Sequence, residues 1–179
     1  MKDIFNKFGI PLSPELNLKL DKFYSILIEE NKKVNLTRIV DKTEFFVKHV
    51  LDSVLPFFQT KDLVLPKSIL DIGSGAGFPG IVLAMFFPEI QVILTESIGK
   101  KARFLELVKH TLELKNIEVI NNRVEKIQSR QVDLVTARAV TDLTTLAKYA
   151  LPKLNKHGKM CFYKAAKVTQ EITEFKKTK

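Results

Sequence analysis

A short apolar run that ends near an acidic residue leads directly into three closely spaced glycines. Residues 68–72 read Ser-Ile-Leu-Asp-Ile, and glycines follow at positions 73, 75 and 77 before the apolar stretch 81–87. This order predicts a strand, a tight turn and a helix. The helix start would present free backbone N–H groups, and glycine would let a ligand approach the main chain closely. The sequence therefore predicts a ligand-binding loop.

The carboxylate of Asp71 indicates which ligand this loop would bind. An acidic residue before the glycines suits a ligand with a positive group and a sugar, and S-adenosylmethionine carries an ammonium, a sulfonium and a ribose. Residues 75–80 also match Gly-x-Gly-x-x-Gly, the dinucleotide fingerprint, so a nicotinamide or flavin nucleotide is the alternative. We favour the methyl donor because the glycines begin earlier, at Gly73, and Pro79 falls at the expected helix start. A structural turn without a ligand is the third interpretation.

Further polar residues follow the later predicted strands. Glu96 ends the second strand, where its carboxylate can accept hydrogen bonds from two ribose hydroxyls. Val124 and Glu125 follow the third strand, where a backbone N–H and a carboxylate could bind the edge of an adenine. Arg138 follows the fourth strand, beside the glycine loop in a doubly wound order, and could hold a phosphate or stack on a base. Each residue could instead be a solvated group on the surface.

Other nucleophiles and metal ligands are sparse. The single cysteine, Cys161, lies in a predicted strand without a basic neighbour, so we expect a buried residue and not a nucleophile. His49, His110 and His157 lack the spacing of a metal site, and no metal is expected. The fourth strand ends in Thr-Ala-Arg-Ala, without the Asn/Asp-Pro-Pro-aromatic sequence that binds exocyclic amines. This ending argues against adenine-N6 methylation.

Alternating segments from Lys67 onward would position these residues. Strands are predicted at residues 68–72, 90–96, 117–121, 131–136 and 158–164, and helices at residues 78–87, 99–114, 123–128 and 142–151. Repeated βα units with short links predict an α/β fold with a doubly wound parallel sheet. We expect this sheet to form a Rossmann-like methyltransferase domain over residues 63–179.

The first part of the chain has a different, helical pattern. Ser13 and Pro14 have the residue types of a helix start, and apolar residues follow at helical spacing. A second helix is predicted from Thr43 to about Phe58, and residues 60–62 would form a linker. We therefore expect an N-terminal helical cap over residues 1–62.

Composition bounds the class of protein and its partners. The chain has 179 residues, of which 45% are hydrophobic, enough for one globular core. Its formal net charge is +9, and residues 151–179 alone contribute +6. Excess positive charge favours a nucleic acid as partner, although a lysine-rich solvated surface would look similar. The sequence shows no signal peptide and no apolar run long enough to span a membrane, so we expect a cytoplasmic protein and a monomer.

Between Asn35 and Lys164 the chain resembles the RsmG (GidB) family of bacterial small-subunit (16S) rRNA guanine-N7 methyltransferases. The resemblance rests on Asn35-Leu36-Thr37, His49-Val50-Leu51-Asp52-Ser53, the glycine loop continuing as Phe78-Pro79-Gly80-Ile81, Glu96-Ser97 with Lys100-Lys101 and Phe104-Leu105, Arg123-Val124-Glu125, Thr136-Ala137-Arg138-Ala139-Val140 and Leu151-Pro152. It implies a class I methyltransferase with S-adenosylmethionine as cofactor and small-subunit ribosomal RNA as partner. It places cofactor contacts at Gly73, Phe78, Val124, Glu125 and Arg138.

The sequence departs from the family's pattern at two places. The family usually has Asp where Glu96 stands. The chain also ends soon after Lys164-Ala165-Ala166, so we expect the last strands of a class I methyltransferase to be missing.

Guanine N7 has an in-plane lone pair, so its methylation requires no general base. We therefore expect catalysis by positioning of the reactants, with Arg138 as the catalytic residue.

The expected cofactor site also includes Asp71, Gly75 and Glu96. Arg38, Lys48 and His49 of the cap are expected to face the RNA. The alternatives are a catalytically impaired RNA-binding or assembly module and a small-molecule methyltransferase.

Overall fold

The computed structural model describes residues 2–60, 64–128, 130–164 and 168–177. The predicted boundary at residues 62 and 63 and most of the predicted linker lie outside these residues, as do Ala165 and Ala166.

A five-stranded parallel sheet forms the centre of the fold. Its strands are β1 (Ser68–Ile72), β2 (Gln91–Thr95), β3 (Ile117–Ile120), β4 (Val132–Arg138) and β5 (Leu154–Tyr163). They lie in the order β3-β2-β1-β4-β5, and each neighbouring pair is parallel. The chain therefore reverses its direction of winding between β1 and β4, the place where open α/β sheets bind ligands at the carboxyl ends of their strands. The predicted doubly wound sheet is confirmed.

Helices cover the sheet and precede it. The cap contains α1 (Lys2–Lys7), α2 (Pro14–Val34), α3 (Lys42–Glu44), a π-helical turn (Phe45–Leu51) and α4 (Asp52–Gln59). The later helices are α5 (Gly80–Phe86), α6 (Gly99–Thr111), α7 (Leu143–Ala150) and α8 (Val168–Lys177), with 3₁₀ turns at Val124–Lys126 and Leu151–Lys153. Ser13 caps α2 as its sequence predicts, because its hydroxyl accepts a hydrogen bond from the Leu16 N–H at 3.1 Å.

The cap and the sheet-covering helices share one hydrophobic core. Phe23 of α2 and Phe45 of the π-helical turn are fully buried and contact Phe78 of the glycine loop, with ring centroids 5.3 and 5.9 Å apart. The same cluster continues into α5 and α6. The cap is thus packed directly against the loop that follows β1, and it contributes to the walls of any cleft there.

Several predicted elements differ from the observed ones; the helix predicted from Thr43 to about Phe58, for example, consists of α3, the π-helical turn and α4. The helix predicted at residues 123–128 is only the 3₁₀ turn Val124–Lys126, because Arg123 and Ile127 on either side have extended backbones. Strand β4 continues through Arg138, so this residue ends the strand and does not follow it. Strand β5 begins at Leu154, four residues before the predicted start, because a register irregularity opposite residues 132–134 accommodates residues 155–158, three of which are polar.

Candidate functional site

The glycine loop connects β1 to α5 at the carboxyl edge of the sheet. Gly73 has a φ of +65°, a conformation that other residues rarely adopt, and its α-carbon faces the side chain of Val140. A Cβ atom at Gly73 would lie 2.8 Å from Val140 Cγ2. A Cβ atom at Gly75 would have no contact shorter than 3.7 Å, so the loop is open on the side of this residue. The main chain at Gly75 is therefore open to the approach of a ligand.

Asp71 lies beneath this loop and not at the surface of the cleft. Its side chain is fully buried, and its carboxylate accepts hydrogen bonds from Thr136 Oγ1 at 2.8 Å and from the Gly80 N–H at 3.3 Å. Burial raises the pKa of Asp71 to about 6, despite these hydrogen bonds. The Asp71 carboxylate joins β1, β4 and the start of α5, and its contact with a cofactor stays a prediction.

Glu96 supports the loop from the neighbouring strand end. One carboxylate oxygen accepts a hydrogen bond from the Gly75 N–H at 3.0 Å, and the other accepts from the Ile98 N–H at 2.8 Å. The residue is only 6% exposed, yet it lines the cleft beside Gly75. Each carboxylate oxygen retains a second lone pair, so the group can still accept from a ligand hydroxyl.

Two cavities meet at Gly73, which lines both. The first has a volume of about 230 Å³ and is lined by the glycine loop, the cap and two cations; its lining includes Leu36, Thr37, His49, Gly75, Phe78, Glu96, Lys101 and Arg138. The second has a volume of about 170 Å³, and its lining includes Ser97, Asn122, Val124, Glu125 and Tyr149. The expected cofactor residues other than Asp71 therefore line these two adjoining cavities, together called the cleft, at the switch point of the sheet.

Arg138 is held between the sheet and the cap. Its guanidinium donates one hydrogen bond to His49 Nδ1 at 2.7 Å and another to the Lys48 carbonyl at 3.1 Å. Its Cζ atom lies 5.0 Å from the centroid of the Phe78 ring, and the His49 ring stacks on the same phenyl ring with centroids 4.2 Å apart. Burial lowers the pKa of Arg138 while Asp71 and Asp52 oppose this effect, and an arginine stays charged in any case.

His49 was expected to face the RNA, but its ring is only 7% exposed and points into this cluster. Burial, followed by the charge of Arg138, lowers its pKa to about 4. The ring is therefore neutral near neutral pH. Of the other cap residues expected at the RNA, Arg38 is exposed, and Lys48 pairs with Glu44 at 2.5 Å.

Neutral His49 should make the wild-type chain less stable in mild acid. The unfolded imidazole has a pKa of 6.5 and the folded one about 4, so the unfolded chain binds more protons in this range. The stability contributed by His49 is thus lost as the pH falls from about 6.5 to about 4. From about pH 7 to about pH 4, we expect the free energy of unfolding of wild type to fall by about 2 kcal/mol relative to His49→Phe, after discounting for solvent screening.

Denaturant unfolding of both proteins at these two pH values measures this shift. Asp71 acts in the opposite direction, because its folded pKa of about 6 exceeds the ordinary 3.8 and its contribution grows as the pH falls. That effect is common to both proteins and cancels in the difference. A difference that does not change with pH would show that the pKa of His49 is not depressed.

Two residues that were not among the predicted site residues complete this cluster, although Thr37 belongs to the motif Asn35-Leu36-Thr37. Thr37 Oγ1 lies 2.9 Å from His49 Nε2, and the Tyr163 hydroxyl donates to the Ser53 carbonyl at 2.6 Å, joining β5 to α4. Nothing in their spacing along the chain relates them to Arg138. Cys161 lies on β5 opposite Thr136 and is half-buried, less than the buried residue that its sequence predicts, and burial raises the pKa of its thiol.

Comparison with known proteins decides the family. Residues 16–179 match the family model GidB, described as rRNA small subunit methyltransferase G. The chain belongs to this family. The protein of this name from Lactococcus lactis subsp. cremoris strain MG1363 is 38% identical over 175 residues, which cover 95% of this chain and 74% of the relative. The protein of the same name from Mycoplasma capricolum subsp. capricolum is 41% identical over 173 residues, which cover 96% of this chain and 74% of the relative.

Solved structures agree on the fold of this GidB family member. It superimposes with a TM-score of 0.57 on coclaurine N-methyltransferase bound to N-methylheliamine and SAH, at 17% identity over 79% of this chain and 42% of the other. The TM-score is 0.55 for a SAM-dependent O-methyltransferase from Thermotoga maritima, at 20% identity over 84% of this chain and 54% of the other. At these identities the similarity shows the fold alone. The chain is a Rossmann-like methyltransferase, and S-adenosylmethionine is its cofactor.

The cleft fits this cofactor. It combines an open main chain at Gly75, the carboxylate of Glu96 and two cations, Lys101 and Arg138, which suit an amino-acid carboxylate. Among the described residues, no group of three or more His, Cys, Asp or Glu side chains could hold a metal ion, and no helix is long and apolar enough to cross a membrane.

Proposed function

We propose that this chain transfers a methyl group from S-adenosylmethionine to N7 of a guanine in small-subunit ribosomal RNA. The match to the GidB family along residues 16–179 carries this proposal. The cleft at the switch point of the sheet provides the place for the reaction, and the net charge of +9 suits an RNA partner.

The two halves of the cleft would bind different parts of the cofactor. The half with Val124 and Glu125 would hold the adenine, and Glu96 beside Gly75 would accept from the ribose hydroxyls. Gly73, where the halves meet, would allow the cofactor to cross from one to the other. Phe78 is only 4% exposed because the rings and guanidinium around it cover its side chain, so its contribution would be to support Arg138.

When bound, S-adenosylmethionine supplies a methyl group on a positively charged sulfur. Guanine N7 offers an unprotonated lone pair, so the protein need not remove a proton before attack. The residues of the cleft would bind, orient and shield the reactants from water, and Arg138 would hold the cofactor or the base in line. The methylated base is cationic, so carboxylate or carbonyl groups close to it would stabilise it.

The RNA would approach over the rim formed by the cap and α6. Arg38 is exposed on the cap, and Lys100 and Lys101 lie in the first turn of α6, where Lys101 also lines the cleft. A guanine must be unpaired or flipped out of its RNA to enter a cleft of this size.

We also propose that residues 1–62 act as a cap and residues 63–179 as a methyltransferase domain. We further propose that the chain works as a cytoplasmic monomer and that it uses no metal.

Transfer of a labelled methyl group into RNA tests this function. Wild-type protein and S-adenosylmethionine are incubated with small-subunit ribosomal RNA, both free and assembled with its proteins, at two salt concentrations. We expect RNA labelling that weakens as salt rises, since phosphate contacts are screened. A small-molecule methyltransferase would label no RNA, and an RNA-binding module would bind RNA without labelling it.

Glu96→Ala should weaken cofactor binding by about 1–3 kcal/mol, the range for hydrogen bonds that involve a charged group. S-adenosylhomocysteine should lose a similar amount, because both ligands contain the ribose. Titration calorimetry with both ligands measures the two losses. Glu96→Asp is the matched control, since it keeps a carboxylate at this strand end and should bind both ligands more tightly than the Ala variant. A loss confined to S-adenosylmethionine would contradict the ribose assignment.

A further inference from the structure

Hydrogen-bond chemistry fixes the protonation of His49. An arginine guanidinium can only donate, so His49 Nδ1, at 2.7 Å from Arg138, must be the acceptor and carries no proton. Because the buried ring is neutral, its single proton lies on Nε2. This tautomer follows from the partners of the ring and determines what the ring can do on its other side.

The Nε2–H group of His49 donates a hydrogen bond to Thr37. Thr37 Oγ1 lies 2.9 Å from Nε2 and accepts this hydrogen bond, and the same oxygen accepts another from the Ile39 N–H at 3.1 Å. Both acceptor positions of the hydroxyl are therefore filled, and its own proton is left to be donated. Thr37 lines the same cleft as Arg138, so the hydroxyl is a hydrogen-bond donor at the wall of that cleft.

Packing holds each part of this chain of hydrogen bonds in place. The His49 and Phe78 rings are nearly parallel, with an interplanar angle of 17°, and the guanidinium of Arg138 lies against the same phenyl ring. The backbone N–H groups of Leu36 and Thr37 both donate to Asn31 Oδ1, at 2.6 and 2.9 Å. The loop that carries Thr37 is thereby fastened to α2.

We infer that Thr37, His49 and Arg138 act as one relay, in which His49 is a positioning residue for two groups of the cleft. It holds the Arg138 guanidinium through Nδ1 and directs the Thr37 hydroxyl through Nε2. The relay presents a fixed cation and a fixed donor to an acceptor-rich reactant, such as the O6 edge of guanine or the carboxylate of the cofactor. The inference rests on the proposed function and assigns the cap a part in methyl transfer.

Two substitutions separate the hydrogen bonds of His49 from its packing. His49→Phe keeps an aromatic ring on Phe78 but can neither accept from Arg138 nor donate to Thr37. His49→Asn loses the ring but keeps an amide oxygen that can accept from Arg138. Per mole of folded protein, we expect the Phe variant to transfer methyl groups into RNA at least ~10-fold more slowly than wild type, and the Asn variant to recover part of this loss.

A double-mutant cycle distinguishes a relay from a purely structural role. In the Arg138→Ala background, His49→Phe should lower the transfer rate by a smaller factor than in the wild-type background, because the part of its effect that acts through Arg138 is already lost. Thr37→Val should reduce transfer in the wild-type background, and Thr37→Ser, which keeps the hydroxyl, should retain more transfer activity than Thr37→Val.

The possible outcomes separate the relay from the function on which it rests. Equal rates for His49→Phe and wild type, or fully additive effects in the cycle, would overturn the relay alone. A wild-type chain that labels no RNA would overturn the proposed function and the relay with it. Melting temperatures of all variants show whether a loss of rate reflects a loss of folded protein.

Discussion

Arg138→Ala is expected to accumulate as folded protein and to transfer methyl groups at least ~100-fold more slowly than wild type, a loss of about 2.7 kcal/mol in transition-state stabilisation. Its guanidinium lines the half of the cleft that contains Glu96 and Lys101, and it is fixed by His49, the Lys48 carbonyl and the Phe78 ring. A group held this firmly at the ligand edge of the sheet can orient a reactant at little entropic cost. Transfer of labelled methyl groups into RNA, normalised to folded protein, measures the effect.

Arg138→Lys is the matched control for charge. Lysine keeps the positive charge but cannot donate to His49 and the Lys48 carbonyl with the same planar geometry, so its rate should lie between wild type and Arg138→Ala. If Arg138 only stabilises the fold, the Ala variant should have a lower melting temperature and a transfer rate proportional to the folded fraction. Near-normal transfer by folded Arg138→Ala would contradict the proposed role.

Gly73→Asp is expected to weaken S-adenosylmethionine binding at least ~100-fold, or about 2.7 kcal/mol, without unfolding the chain. Gly73 lines both halves of the cleft, so a side chain there occupies the passage between them. The first atom of that side chain would lie 2.8 Å from Val140 Cγ2, but Val140 is 39% exposed and can move. Titration calorimetry measures binding, and thermal unfolding measures stability.

Gly9→Asp provides the control for backbone strain. Gly9 has a φ of +67°, almost the same as the +65° of Gly73, and a Cβ atom there would contact no atom within 4 Å. Both variants therefore carry the same left-handed strain, of about 1 kcal/mol, but only Gly73→Asp introduces a side chain into the cleft. Equal cofactor affinities for the two variants would refute the placement of the cofactor at the glycine loop.

Local patterns of apolar residues and glycines in the sequence were enough to predict the sheet and the ligand site at the carboxyl ends of its strands. Apolar strands, a glycine turn and an apolar helix recur at short spacing, and the sterics of parallel βα units leave few ways to arrange them. The predictions failed where the pattern was short or polar. Val124 and Ile127 have helical spacing, yet only one 3₁₀ turn forms there. The start of β5 was not predicted because three polar residues and a glycine, residues 155–158, interrupt its apolar pattern.

Only the site residues that lie at the ends of single strands could be predicted from the sequence. Gly73, Glu96 and Arg138 each follow or end a strand, so topology alone brings them to one edge. The burial of Asp71 and the environment of His49 depend on how the cap packs on the glycine loop. Thr37 and Arg138 are 101 positions apart in the sequence and are joined only through His49. No periodicity indicates such a contact, because it depends on long-range packing.

Nucleoside mass mapping of the RNA product tests the central claim most directly. Small-subunit ribosomal RNA that lacks the modification is treated with S-adenosylmethionine and either wild-type protein or Arg138→Ala, then digested and mapped. Methyl transfer to guanine N7 predicts 7-methylguanosine at a defined position after treatment with wild type, and a greatly reduced amount with the variant. A methyl group on another atom or another base, or RNA that stays unmodified while the wild-type protein binds S-adenosylmethionine, would contradict the assignment of this chain as a guanine-N7 methyltransferase.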